Sequence, residues 1–249
     1  MPKKILVTGF PHTGTSILKS KLGECTNLYE CPYEQYNITP NNIRESGDKE
    51  FILIKTPVIP IEIRANSLSH SRVVGSEYGD YIIIFVIRNP YNVFTSLSKV
   101  GYDPLTKIGP NEGVEYHHSF GEYLAAAKFF IEARDNKYEN IYTIRYEDFF
   151  PNNYEKLKEL MDTIGLKYDD NIFENKSKEY THWLNVKASN INSNELDYKN
   201  RRGEYRTWQI NQPFQNMNSE VNIPDELADI LKNSNIVEEL GYSDPRITG

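Results

Sequence analysis

Residues 9–16 read Gly-Phe-Pro-His-Thr-Gly-Thr-Ser, directly after a short apolar run and just before a helix candidate. The pattern G-x-x-x-x-G-x-[ST] is the frame of a phosphate-binding loop, whose successive backbone N–H groups point into a concavity that accepts phosphate oxygens. Gly14 lets the backbone approach a ligand closely, and Thr15 and Ser16 add hydroxyl donors at the helix start. Thr15 stands where a nucleoside triphosphatase carries the lysine that reaches the β- and γ-phosphates. Plain ATPase or kinase chemistry therefore loses ground. An ordinary strand–turn–helix is the other reading of the same residues.

A second candidate anion site follows the apolar run Tyr81–Ile87, in Arg88-Asn89-Pro90 and, eight positions after Arg88, Ser96. Asn89 can cap a helix and Pro90 suits its first position. Arg88 then sits at the carboxyl end of a central strand, where open α/β sheets bind ligands. A guanidinium fork and a hydroxyl converging on one phosphate would each form a charge-assisted bond worth roughly 1.5–3 kcal/mol. Alone, these two residues suit an ion pair and a solvated helix position equally well.

The elements that must position these groups are legible as alternation. Residues 4–8, 51–55, 81–87 and 140–145 have the run-like apolar character of parallel strands. Helix candidates follow at 15–22, 90–100, 154–164 and 225–231. Phe120, Tyr123, Leu124, Ala127, Phe130, Ile131 and Arg134 fall on one helical stripe between the third and fourth strands. Strands alternating with helices imply a parallel sheet covered on both faces. The composition shows no repeat and no sharp break, so one domain over residues 1–249 is expected.

Composition bounds the remaining classes. The chain is 39% hydrophobic and 25% charged, and its 18 tyrosines set it apart from a disordered chain of similar polarity. No apolar run approaches the ~20 residues of a membrane span, so no membrane association is expected. The N-terminus has too short an apolar core for a signal peptide and reads as a first strand. Cys25 and Cys31 are too few for a disulfide framework or a four-ligand zinc site, which suggests a reduced, cytoplasmic setting. The net charge of −7 argues against a nucleic-acid partner. A small polyanion remains compatible if positive groups gather at one point.

Taken together, these segments resemble the sulfotransferases that use 3′-phosphoadenylyl sulfate (PAPS). The loop Phe10-Pro11-His12-Thr13-Gly14-Thr15-Ser16 is similar to that family's 5′-phosphosulfate loop, and Arg88 with Ser96 to its 3′-phosphate site. Ile144-Arg145-Tyr146-Glu147-Asp148 is similar to the family's R-Y-E-D segment. Arg201-Arg202-Gly203 followed by Trp208 is similar to the R-K-G…W stretch of its cytosolic branch. Four motifs occur in the family's order, spanning residues 5 to about 208.

The resemblance implies a three-layer parallel β-sheet flanked by helices, the P-loop NTPase-like sulfotransferase fold. It implies that the loop from Pro11 and His12 through Thr13, Gly14, Thr15 and Ser16 holds the 5′-phosphosulfate. Arg88 and Ser96 hold the 3′-phosphate with support from Arg201, Arg202 and Gly203, while Tyr146 and Ile17 face the adenine. PAPS is then the donor, adenosine 3′,5′-bisphosphate (PAP) the product, and no metal is expected. The acceptor is a small molecule, saccharide or peptide bearing a hydroxyl or amine, with substrate loops expected at 106–119 and 171–200.

Two departures from the family stand out. His12 replaces a lysine or arginine, so a fixed cation becomes a titratable one with a reference pKa of about 6.5. In Lys55-Thr56-Pro57, similar to the cytosolic branch's K-T-H, Lys55 can supply the missing charge, but Pro57 replaces the histidine that serves as base. Glu30, then Glu34, are the candidates for that base, in the segment where other branches place a glutamate. His117 and His118 are outside candidates, and His70 and His182 carry no motif. A P-loop kinase or nucleotide hydrolase, and a catalytically silent nucleotide-binding module, are the competing readings.

Overall fold

The computed structural model describes residues 1–32, 35–56, 78–99, 119–174 and 220–243, with Leu105 and Asn216 as isolated positions. Five strands, β1 (Lys3–Gly9), β2 (Leu28–Glu30), β3 (Phe51–Lys55), β4 (Tyr81–Ile87) and β5 (Ile141–Arg145), form one sheet in the order β2-β3-β1-β4-β5. Every pairing in that sheet is parallel. Helix α1 (Thr15–Leu22) follows β1, and α2 (Pro40–Glu45) lies between β2 and β3. Helices α3 (Pro90–Ser98) and α4 (Phe120–Asn136) separate β4 from β5, and α5 (Pro151–Ile164) follows β5. Near the end come α6 (Asp225–Asn233) and α7 (Ile236–Glu239).

Because side chains alternate across a strand, each apolar run supplies both faces of the sheet. Leu6, Ile52, Ile54, Ile83, Phe85 and Ile87 face one side, where α3, α4, α6 and α7 cover them. Ile5, Val7, Leu53, Ile84 and Val86 face the other, covered by Leu18 and Leu22 of α1 and by Leu157, Met161 and Ile164 of α5. The result is three layers, helix on sheet on helix. No helix among the described residues is long and apolar enough to cross a membrane.

The expected strands match the observed ones to within a residue at either end, but two elements escape the pattern. β2 is three residues long, too short to register as an apolar run. α2 is a polar, six-residue helix held by a capping box, in which Thr39 accepts from the Asn42 N–H and Pro40 takes the first position. The buried residues of α4 are Tyr123, Ala126, Ala127, Phe129, Phe130 and Ala133, a face rotated from the expected stripe. Phe129 lies edge-on to Phe85 of the sheet at 5.0 Å, while Arg134 sits at the rim and donates to the Glu239 carbonyl at 2.9 Å. The expected start of α5 at Tyr154 falls at a real discontinuity: Asn152, Asn153 and Tyr154 have left-handed backbone before the regular helix begins.

Candidate functional site

Adjacent strands β1 and β4 send the chain to opposite faces of the sheet, β1 into α1 and β4 into α3. A crevice must open between the two departures, at the carboxyl edge of the sheet. Gly9, opposite Val86 in the ladder, makes the seam close enough that a Cβ there would collide with the Val86 carbonyl. The two candidate anion segments therefore emerge side by side.

The loop from Phe10 to Gly14 is shaped by its own polar groups. Thr13 is fully buried, and both its N–H and its hydroxyl donate to the Phe10 carbonyl, at 3.3 and 2.7 Å. His12 and Gly14 have left-handed backbone, with φ of 65° and 95°. At Gly14 the requirement is twofold, since a Cβ would also run into the ring of Tyr146. Gly14 is the residue before α1, and its carbonyl accepts from the Leu18 N–H at 3.1 Å. No side chain caps this helix start, so the first-turn N–H groups and the positive end of the helix dipole are left for another acceptor.

Arg88 is buried at the end of β4, and its Nη1 donates to the His12 carbonyl at 3.4 Å. Its guanidinium lies 4.3 Å from the centre of the Tyr146 ring, a cation–π contact worth about 2 kcal/mol when desolvated. Its own carbonyl accepts from the Tyr123 hydroxyl at 2.8 Å. Burial first, and then the Glu147 charge, raise the Tyr123 phenol well above its ordinary value, so it stays a protonated donor. Across the crevice, His12 Nδ1 lies 2.7 Å from Ser96 Oγ on α3. As the sequence leads one to expect, Asn89 caps α3, its side chain accepting from the Tyr91 N–H at 3.0 Å with Pro90 at the first position.

Most of the expected site residues are thus brought together. The loop Pro11–Ser16, Arg88, Ser96 and Tyr146 meet at the carboxyl edge of the sheet, and partly buried Ile17 continues from the loop into α1. Tyr146 is buried beneath Arg88 and beside Phe149 and Phe150, so its ring supports the guanidinium. Lys55 ends β3, buried, in register with Val7 of β1 and on the same edge of the sheet as the loop. Beyond it, the Thr56 N–H donates to the Val7 carbonyl at 3.3 Å, and the Thr56 and Thr8 hydroxyls are 3.2 Å apart.

Glu30 is not brought to the loop. Its carboxylate lies against Gly23, beyond the far end of α1, and pairs with Lys19 at 3.4 Å. Eight helical residues separate that end from the loop, about 12 Å of rise. Lys19 is itself fixed by donation to the Cys31 carbonyl at 2.6 Å. The pair locks β2 to α1, which accounts for a carboxylate of the right type in the wrong place. Glu34, Arg201, Arg202, Gly203, Pro57, Trp208, His117 and His118 lie outside the described residues, as do the expected substrate loops save Ser119 and residues 171–174.

Two contributors escape a reading of the sequence alone. Glu147 accepts from the Asn89 N–H at 3.1 Å and from the Tyr242 hydroxyl at 2.7 Å, tying the start of α3 to the chain after α7. Tyr123 supports Arg88 from α4. Their only prior signal is that Glu147 sits inside the R-Y-E-D segment and Tyr123 on the expected stripe. An open depression of about 690 Å³ lies elsewhere, along the outer edge of β5 between α4 and α5, and includes none of the loop residues.

No family model and no curated protein matches this sequence. Among solved structures, the chain is similar to the sulfotransferase domain from the Synechococcus PCC 7002 olefin synthase, with a TM-score of 0.53 and 13% identity over 98% of this chain and 96% of that one. Looser superpositions are found with the sulfotransferase domain from the curacin biosynthetic pathway (TM-score 0.49, 15% identity, 98% and 99% covered). Mouse sulfotransferase SULT7A1 complexed with PAP is looser still (TM-score 0.48, 12% identity, 97% and 86% covered). The chain has the P-loop-like sulfotransferase fold.

Proposed function

We propose that this chain is a sulfotransferase that takes the sulfuryl group of PAPS to a hydroxyl or amine of a small-molecule, saccharide or peptide acceptor, leaving PAP. The observation that carries this reading is the meeting of the two candidate anion-binding segments, with Arg88 bonded to the His12 carbonyl and Ser96 to the His12 ring. A nucleotide bearing anionic groups on both sides of its ribose asks for two such grips at one edge of a sheet. The donor set fits it: first-turn N–H groups of α1, the hydroxyls of Thr15 and Ser16, a buried guanidinium and the Ser96 hydroxyl.

In this reading the loop and the start of α1 hold the phosphosulfate end, and Arg88 and Ser96 hold the 3′-phosphate. His12 and Lys55 supply positive charge near the transferring group, where charge stabilisation is the largest catalytic effect. Thr15 in place of a P-loop lysine speaks against nucleoside triphosphate turnover.

The test is a thermal-shift comparison of PAP with ATP–magnesium, repeated on Arg88→Ala. The expected result is a larger stabilisation by PAP, mostly abolished by the substitution. Equal shifts, or a larger one with ATP–magnesium, would favour a kinase or hydrolase. Tight PAP binding without transfer to any acceptor in a broad screen would leave a silent binding module.

A further inference from the structure

His12 and Ser96, 84 positions apart, share one hydrogen bond of 2.7 Å between ring Nδ1 and hydroxyl Oγ. The direction of that bond depends on the protonation of the ring. In the neutral ring with a bare Nδ1, the Ser96 O–H donates to nitrogen, and Oγ turns only lone pairs toward anything else. The other neutral tautomer releases the hydroxyl but leaves Nε2 bare and adds no charge. In the imidazolium, Nδ1–H donates to Oγ, the Ser96 hydrogen turns outward, and a positive charge is added. Only the protonated form offers a donor and a charge together.

Resting on the nucleotide-binding reading above, we propose that His12 and Ser96 form a proton-operated anion latch. Uptake of one proton by His12 turns Ser96 from an acceptor into a donor toward a phosphoryl or sulfuryl oxygen, so PAP binding draws a proton from solvent.

Among the described residues, charged and polar groups approach the pair from several elements. From the end of β4, the Arg88 guanidinium donates to the His12 carbonyl, and Lys55 brings a second cation to the same edge of the sheet. The Tyr146 ring beneath Arg88, the Tyr123 hydroxyl on the Arg88 carbonyl and the hydroxyls of Thr13 and Thr15 are neutral neighbours. The Glu147 carboxylate is engaged by the Asn89 N–H and the Tyr242 hydroxyl. An imidazolium beside an empty anion site lacks the counter-charge that a bound polyanion brings. A bound polyanion favours the charged ring over its state in the free protein, and the proton follows it.

Isothermal titration of the full chain with PAP between pH 6.5 and 8.5, in two buffers of different ionisation heat, measures affinity and proton uptake directly. The expected wild-type affinity falls about tenfold across that range, with net proton uptake greatest near neutrality. PAP's own phosphates titrate equally with every variant, so His12→Asn isolates the contribution of the imidazole. Asparagine tolerates the left-handed backbone at position 12 and does not titrate.

His12→Asn is expected to lose the excess slope and uptake. Ser96→Ala, which keeps the imidazole, is expected to lose most of the gain at low pH. A wild-type profile that coincides with that of His12→Asn, or a gain that survives in Ser96→Ala, overturns the latch while leaving the nucleotide site standing. Absence of PAP binding to the wild type at every pH overturns the donor-site reading itself, and the latch with it.

Discussion

Arg88 makes three connections at once: its guanidinium meets the His12 carbonyl and the Tyr146 ring, and its carbonyl takes the Tyr123 hydroxyl. A long cation held on both sides loses little rotamer freedom when an anion arrives, which suits Arg88 to the binding role proposed for it. Glu30 is equally well held, but for another purpose. Its pairing with Lys19, of which only 3% of the side chain is exposed, joins β2 to α1. Glu30→Gln is expected to lower stability by about 1–3 kcal/mol, measured by urea unfolding, and to leave turnover unchanged. A loss of roughly 10²-fold or more, the size of a general-base contribution, would make it the base after all. The two cysteines carry no chemistry in this account. Burial above all pushes both thiols up to about 12, so neither is a ready nucleophile at neutral pH.

At the scale of elements, the 3₁₀ turn Tyr146–Phe149 is the hub that fixes the start of α3. Arg145 forks onto Asp148 at 2.8 and 2.9 Å, donates to the Gly241 carbonyl at 2.9 Å and lies 5.2 Å from the Tyr242 ring centre. Tyr242 in turn donates to Glu147, which receives the Asn89 N–H. Partial burial pushes the Asp148 carboxyl up, but bonds from Arg145 and Lys156 outweigh it and hold the group below its ordinary value. A carboxylate depressed in the folded state stabilises the fold above its unfolded value near 3.9, and that contribution fades as pH falls through the folded value. Asp148→Asn is therefore expected to cost about 1–3 kcal/mol at pH 7, with the gap to wild type closing below about pH 4. Urea unfolding at pH 7 and pH 3 checks both the size and the sign. A gap that persists at pH 3 would show that the carboxylate's charge is not what matters.

For the molecule as a whole, the sequence makes the layers legible because β1, β3, β4 and β5 are apolar runs and buried parallel strands have no other way to read. The loop after β1 is equally plain, since its glycines and hydroxyls lie within eight positions. What stays hidden depends on distance along the chain. No local pattern can announce that His12 meets Ser96, or that Glu147 takes the Asn89 N–H and Tyr242. Nor can it tell that Lys19 claims Glu30, because the three residues of β2 give no signal of where its carboxylate will point. Residue types narrowed the candidates, and packing chose among them.

The seam between β1 and β4, where Gly9 pairs with Val86, joins stretches of chain far apart in sequence. Closing so long a loop is entropically slow, and local helices form well before it. The proposed grip on nucleotide should accordingly be the last property a refolding chain acquires. In stopped-flow refolding, far-ultraviolet ellipticity is expected to recover ahead of capture of a fluorescent PAP analogue. Simultaneous recovery would mean that the seam closes early. If capture does lag, a newly made chain passes through an interval in which it is largely helical yet blind to the analogue, and added PAP speeds none of the steps before the seam is zipped.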